Sequence, residues 1–191
     1  MEGHYYLLFF GTTLCPDLCP LTLMKMVKAQ RTLNRSSEGK QFIQFQTVFV
    51  TVNPEADSAK QLNEFSKLYG PKLIMLREEN NNSPGLKSML KSFKVPVGLT
   101  DKEAEEIKNY FATTSKPGLF KRWFGRKQDA ADGFLNDHSR AMYLMAPDNK
   151  FVAFYTLNLS EDELRNQIIE DISYDIGQRF IGTGKRPADL E

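Results

Sequence analysis

Cys15 and Cys19 are the only cysteines in this 191-residue chain, and they stand four positions apart in Gly11-Thr12-Thr13-Leu14-Cys15-Pro16-Asp17-Leu18-Cys19-Pro20. On a helical turn, positions i and i+4 share a face. The two sulfurs can therefore hold one metal ion together or close a disulfide. A helix N-terminus nearby is expected to lower the thiol pKa and favour thiolate. Thiolates are soft ligands that select Cu(I), Zn(II) or iron–sulfur clusters. A cluster takes four thiolates, and the chain has two. A structural zinc site takes four Cys or His ligands. Cys15, Cys19, His4 and His138 are the entire supply. A three-coordinate copper site of two cysteines and one histidine needs only one of those histidines. His138 is the better candidate, because it stands in the polar turn Asn136-Asp137-His138-Ser139 just ahead of a strand. There Asp137 can orient the ring. His4 lies at the chain start, where segments tend to fray. The same pair also suits thiol–disulfide exchange, in which one thiolate attacks a partner disulfide and the second thiol resolves the mixed species. That chemistry needs no histidine.

Composition narrows the field. Lys+Arg number 25 and Asp+Glu 24, a net charge of +1, which argues against nucleic-acid binding by bulk charge. The length suits one full-sized core rather than two. Two cysteines cannot staple a disulfide-rich scaffold. The early apolar run from Tyr5 to Phe10 falls far short of the roughly 20 residues of a membrane-spanning helix, and it lacks the flanks of a signal peptide. No P-loop, dinucleotide glycine pattern or His-Glu-x-x-His is present, and no serine is placed beside a supporting histidine.

The elements that must position the cysteines follow in order. Tyr5–Phe10 reads as a strand buried on both faces. Leu18–Leu33 reads as a helix with Leu21, Met24, Val27 and Leu33 as its apolar stripe and Pro20 in the first turn. Phe42–Val52 reads as a second buried strand ending at Asn53-Pro54. A helix over Ser58–Tyr69 is capped by Ser58 and stopped by Gly70-Pro71, with Leu62, Phe65 and Tyr69 on one face. A short strand is expected over Lys72–Leu76, a loop over 80–85, and helices over Leu86–Phe93 and Thr100–Phe111. Ala141–Met145 and Phe151–Thr156 form a hairpin across Pro147-Asp148-Asn149-Lys150. Glu161–Gln178 is a closing helix with Ser160 as cap and Leu164, Ile168, Ile169 and Ile172 as its stripe. This alternation predicts an α/β, thioredoxin-like layer of one domain over 1–181, with an insertion at about 100–136 and a loose tail over 182–191. Sites in such sheets lie at the carboxyl ends of strands, which is where the cysteine segment falls.

Gly11-x-Thr13-x-Cys15-Pro16-Asp17-x-Cys19-Pro20 after an aromatic strand resembles the Sco/SenC family of cytochrome oxidase assembly proteins. Three further segments resemble that family in the same order: Val52–Ser58, Asp137–Leu144 and Pro147–Phe151. The resemblance implies a thioredoxin-like fold with copper bound by Cys15, Cys19 and His138, as Cu(I) in preference to Cu(II). It implies a metallochaperone for the dinuclear copper (CuA) centre of oxidase subunit II rather than an enzyme. A thiol reductase acting on the cysteines of that subunit is the alternative. The implied partners are subunit II and an upstream copper donor, with the domain acting as a monomer. The implied location is the mitochondrial inner membrane, with the domain in the intermembrane space, or the periplasmic side in a bacterium. The family's tether and the part of its domain ahead of the first core strand are expected to lie outside this chain. Asn53, Ala56 and Ser58 replace the Asp, Arg and Thr common in the family's turn, and the stretch between Val95 and His138 is longer than usual.

Other features receive plainer readings. Lys116–Lys127 joins basic residues to Phe120, Trp123 and Phe124. Its aromatics are expected to pack on the domain, and contact with an anionic membrane surface or a partner groove is the sharper alternative. Met24 and Met26 are read as core filling, and Asp17 as a solubilising or partner-contacting residue, too hard a ligand for Cu(I). A redox sensor or peroxidase-like protein is a third reading, from fold analogy alone.

Overall fold

The protein is described by a computed structural model covering residues 3–35, 45–95, 97 and 141–183, with side chains through Arg179. The expected helix over Thr100–Phe111, the segment Lys116–Lys127, Asp137, His138 and the tail from 184 lie outside the described residues.

Among the described residues the chain forms β1 (Tyr6–Gly11), α1 (Leu18–Arg35), β2 (Gln46–Thr51), α2 (Ala59–Lys67), β3 (Leu73–Leu76), α3 (Pro84–Ser92), β4 (Ala141–Met145), β5 (Phe151–Thr156) and α4 (Glu161–Thr183). The sheet order is β3-β2-β1-β4-β5. β1, β2 and β3 run parallel, while β4 and β5 are antiparallel to their neighbours. This is the expected thioredoxin-like α/β layer. The central position of β1 explains its composition: every residue from Tyr6 to Gly11 is buried, as a strand covered on both faces requires.

Alternation along β1 feeds two cores. Leu7 and Phe9 join Phe49, Leu144 and the helices α1, α2 and α4 on one face. Leu8 and Phe10 join Val48, Val50 and Tyr143 on the other, where Met89, Leu90 and Phe93 of α3 and the residue after it pack. Capping boxes open two helices: Ser58 with Gln61 at α2, and Ser160 with Glu163 at α4. Gly70 turns at φ +102 after α2. α4 runs on to Thr183, past the end expected at Gln178.

The buried face of α1 differs from the expected stripe. Val27 and Leu33 are buried, but Leu21 is 59% and Met24 46% exposed. The buried side is Cys19, Thr22, Leu23, Met26, Val27, Ala29, Gln30 and Leu33. Two residues of helix turn the side chain by roughly half a circle, so Leu23 faces the core where Leu21 faces solvent. The physical reason is Cys19 itself. It packs as the first core residue of the helix, and the residues one and two turns later follow it inward. Met26 fills the core as expected, and Met24 does not.

Leu23→Ala should lower unfolding free energy by about 2–5 kcal/mol in urea titrations, as a buried leucine does. Met24→Ala, one residue along, should stay within about 0.5 kcal/mol of the parent.

Candidate metal centre

The cysteine loop leaves the carboxyl end of β1, and its first constraint is Gly11. A Cβ built on Gly11 would lie 2.7 Å from Cys19 Sγ and 3.0 Å from the Phe49 ring. The strand must therefore end in glycine for the sulfur to seat. The Val52 amide donates to the Gly11 carbonyl at 2.9 Å, which fixes this end of β1 against β2. A turn follows: the Cys15 amide donates to the Thr12 carbonyl (3.3 Å), and the Leu14 amide to Thr12 Oγ1 (3.3 Å).

Cys19 sits in the first turn of α1 and is fully buried, while Cys15 is half-buried in the loop ahead of it. The Cys19 amide donates to Cys15 Sγ at 3.4 Å. Cys15 thus caps the helix with its sulfur, satisfying an amide that a helix start leaves without an internal partner. Both thiols are free. The i, i+4 pairing expected from spacing is realised as loop plus first turn.

The expected lowering of thiol pKa does not hold for Cys19. Burial pushes its pKa well above the ordinary range, and Cys15 and Asp57 add in the same direction, against a backbone hydrogen bond from Thr12. Desolvation of the charged form outweighs the nearby helix terminus here.

Sequence reasoning passed over Asp57. It is 0% exposed, and its carboxylate reaches into the cysteine loop. The Thr13 amide donates to both carboxylate oxygens (3.2 and 3.1 Å). Thr13 Oγ1 donates to Oδ1, and Thr51 Oγ1 to Oδ2 at 2.5 Å. In sequence Asp57 reads as an ordinary acid beside the helix cap Ser58. Only the pairing of β1 with β2 brings it under Thr13.

Asp17 is exposed, with its carbonyl accepting from the Leu21 amide at 3.2 Å. His4 precedes β1 at the end opposite the cysteines, a strand length of roughly 20 Å away, and its buried Nδ1 has no hydrogen-bond partner among the described residues. That separation removes His4 as a companion to the pair. His138 and Asp137 lie outside the described residues, and no group of three or more metal-ligating side chains occurs among the described residues. A groove of about 680 Å3 between α2 and β3 is lined by none of the loop residues from Gly11 to Pro20. No helix among the described residues is long and apolar enough to cross a membrane.

Comparisons with known proteins bear on this loop. The SCO1/SenC family model matches residues 1–115, a span that includes both cysteines and Asp57. Among curated relatives, the mitochondrial Protein SCO1 homolog 1 of Arabidopsis thaliana is 30% identical over 90% of this chain and 41% of its own length. The mitochondrial Protein SCO2 homolog of Mus musculus is 29% identical over 90% of this chain and 53% of its own. The chain thus spans about half the length of these relatives. The crystal structure of Arabidopsis thaliana ScoI with copper bound is similar at TM-score 0.63 and 30% identity, covering 91% of this chain and 86% of that one. Yeast Sco1 with copper bound is similar at TM-score 0.61 and 26% identity, covering 90% and 77%.

Gly11→Ala should cost about 1–3 kcal/mol by overpacking. A double-mutant cycle with Cys19→Ala in urea should recover on the order of 1 kcal/mol, because removing the sulfur removes the nearest clash.

Proposed function

The chain belongs to the SCO1/SenC family, and on that premise we propose that it binds copper through Cys15, Cys19 and His138 and delivers it for assembly of the CuA centre in subunit II of cytochrome c oxidase. The observation that carries this reading is the seating of two free thiols side by side, one in the loop and one in the first turn of α1, the amide of one bonded to the sulfur of the other. The donor chemistry fits a soft ion, Cu(I) ahead of Cu(II): two sulfurs are available, and the nearby Asp57 carboxylate is taken up by threonine donors. When bound, copper supplies an incompletely coordinated soft cation that a partner's thiol can engage.

His138 as third ligand is supported by the path of the chain. β4 pairs with β1 in the register Tyr6↔Met145, Leu7↔Leu144 and Leu8↔Tyr143. Ala141, at the start of β4, therefore lies toward the end of β1 that carries the cysteine loop. His138 is three residues earlier, a tether of at most roughly 11 Å. Asp137 orients its ring. In this reading 1–181 acts as a single monomeric domain that takes copper from an upstream donor. It faces the intermembrane space at the mitochondrial inner membrane, or the periplasm in a bacterium, in keeping with relatives named as mitochondrial.

One observation favours a second reading, a thiol reductase for the cysteines of subunit II. Cys15 is half-buried and Cys19 fully buried, the asymmetry suited to an attacking and a resolving thiol. Reduction needs both cysteines and no histidine.

Anaerobic titration against a competing chelator should find one Cu(I) per chain. Binding should be lost in Cys15→Ala and Cys19→Ala and sharply weakened in His138→Ala. Asp137→Ala should cost about 10–100-fold, as partners of metal-bound histidines do. Equal retention by the parent and all four variants would overturn the reading. A His138→Ala protein that loses copper yet fully reduces a disulfide peptide from the oxidase subunit would assign the reductase role to the pair alone.

A further inference from the structure

We propose that Asp57 is the positioning residue of the cysteine loop: its carboxylate grips Thr13 and thereby sets Cys15 against Cys19. The functional consequence for copper rests on the reading above; the positioning itself does not.

A carboxylate removed from water is costly unless its oxygens are bonded. Asp57 is 0% exposed. The partners of its carboxylate among the described residues are neutral donors, the amide and hydroxyl of Thr13 and the hydroxyl of Thr51. Two of those three donors belong to one residue, two positions ahead of Cys15. From Thr13 the grip passes along the short turn in which Thr12 accepts from Leu14 and Cys15. Cys19 is held separately, by α1 and by the space at Gly11. The two thiols therefore have different anchors, and Asp57 is the anchor that belongs to Cys15.

The anchor is itself braced. The Asp57 amide donates to the Asn53 carbonyl at 2.9 Å. Arg77 Nε donates to the carbonyls of Asp57 (3.1 Å) and Pro54 (3.2 Å), and its Nη2 to Pro54 (3.0 Å). A guanidinium from beyond β3 thus holds the turn between β2 and α2, and that turn presents the carboxylate to the loop after β1. This arrangement pre-organises the pair, because the entropy of fixing Cys15 is met in the fold rather than when a ligand or disulfide forms.

The test measures the pair with and without metal. The first readout is the equilibrium of the protein dithiol with glutathione disulfide. The protein gives up two electrons and two protons to form a Cys15–Cys19 bond, and two glutathione thiols are released. Asp57→Ala should lower that equilibrium constant tenfold or more. Asp57→Asn keeps a carbonyl acceptor for the Thr13 amide and should fall between. Tyr5→Phe removes a 2.7 Å hydrogen bond to Asp175 ahead of the opposite end of β1, and should leave the constant at the parent value. A general loss of stability would not produce that pattern. The second readout is Cu(I) retention, which should fall in the same order. Asp57→Ala with a native circular dichroism spectrum and a parent-like glutathione equilibrium would overturn the proposal. Should Asp57→Ala fail to fold, Asp57→Asn and Thr51→Val decide the matter by the same constant. A parent protein that holds no copper, with a constant that still falls in Asp57→Ala, would sink the copper reading and leave the positioning role standing.

Discussion

A sulfur atom occupies the space where the side chain of the last residue of β1 would be. Because Cys19 Sγ lies 2.7 Å from a Cβ that Gly11 does not have, the helix that carries Cys19 approaches the strand end closely. That single contact sets the rotation of α1. Cys19, Leu23, Met26 and Leu33 turn inward, and Leu21 and Met24 turn to solvent. It also divides the pair. One thiol is part of the hydrophobic core, dry and hard to ionise, and the other stands half-buried in a loop. A cysteine pair built this way depends on a rigid strand end and a held loop.

The sheet supplies both, and its two ends are built differently. At and ahead of the amino end of β1, charge does the tying. Arg179 of α4 bonds Asp148 of the hairpin turn through two nitrogens and Asp175 through a third, and Tyr5 donates to Asp175. Those bonds fasten the closing helix to the hairpin and to the chain ahead of β1. At the carboxyl end the ties are short bonds from threonines and amides to one buried carboxylate.

Much of this was legible in the sequence. Short apolar runs rich in β-branched and aromatic residues marked the strands, and the hairpin bounds of Ala141–Met145 and Phe151–Thr156 agree with the structure. Ser58 and Ser160 marked helix starts because their chemistry is local. The face of α1 was legible only in part: Val27 and Leu33 turn inward as expected, and Leu21 and Met24 do not. Cys19 counted in the sequence as a site residue, whereas in the fold it is also the first core residue. Asp57 was invisible for a related reason. Its neighbours along the chain are turn and cap residues, and its partners at Thr13 and Thr51 are assembled only when β1 and β2 pair. The thiol pKa of Cys19 was misjudged because spacing reveals a helix terminus and cannot reveal how completely the sulfur is dried.

Copper-edge X-ray absorption of the copper-loaded protein reads the proposed ligand set of two sulfurs and one imidazole nitrogen. The spectrum should show two sulfur scatterers and one nitrogen scatterer with the outer-shell pattern of an imidazole. The nitrogen signal should be absent in His138→Ala and unchanged in His4→Ala. A first shell of oxygen and nitrogen alone, or an imidazole signal that survives in His138→Ala, would contradict it.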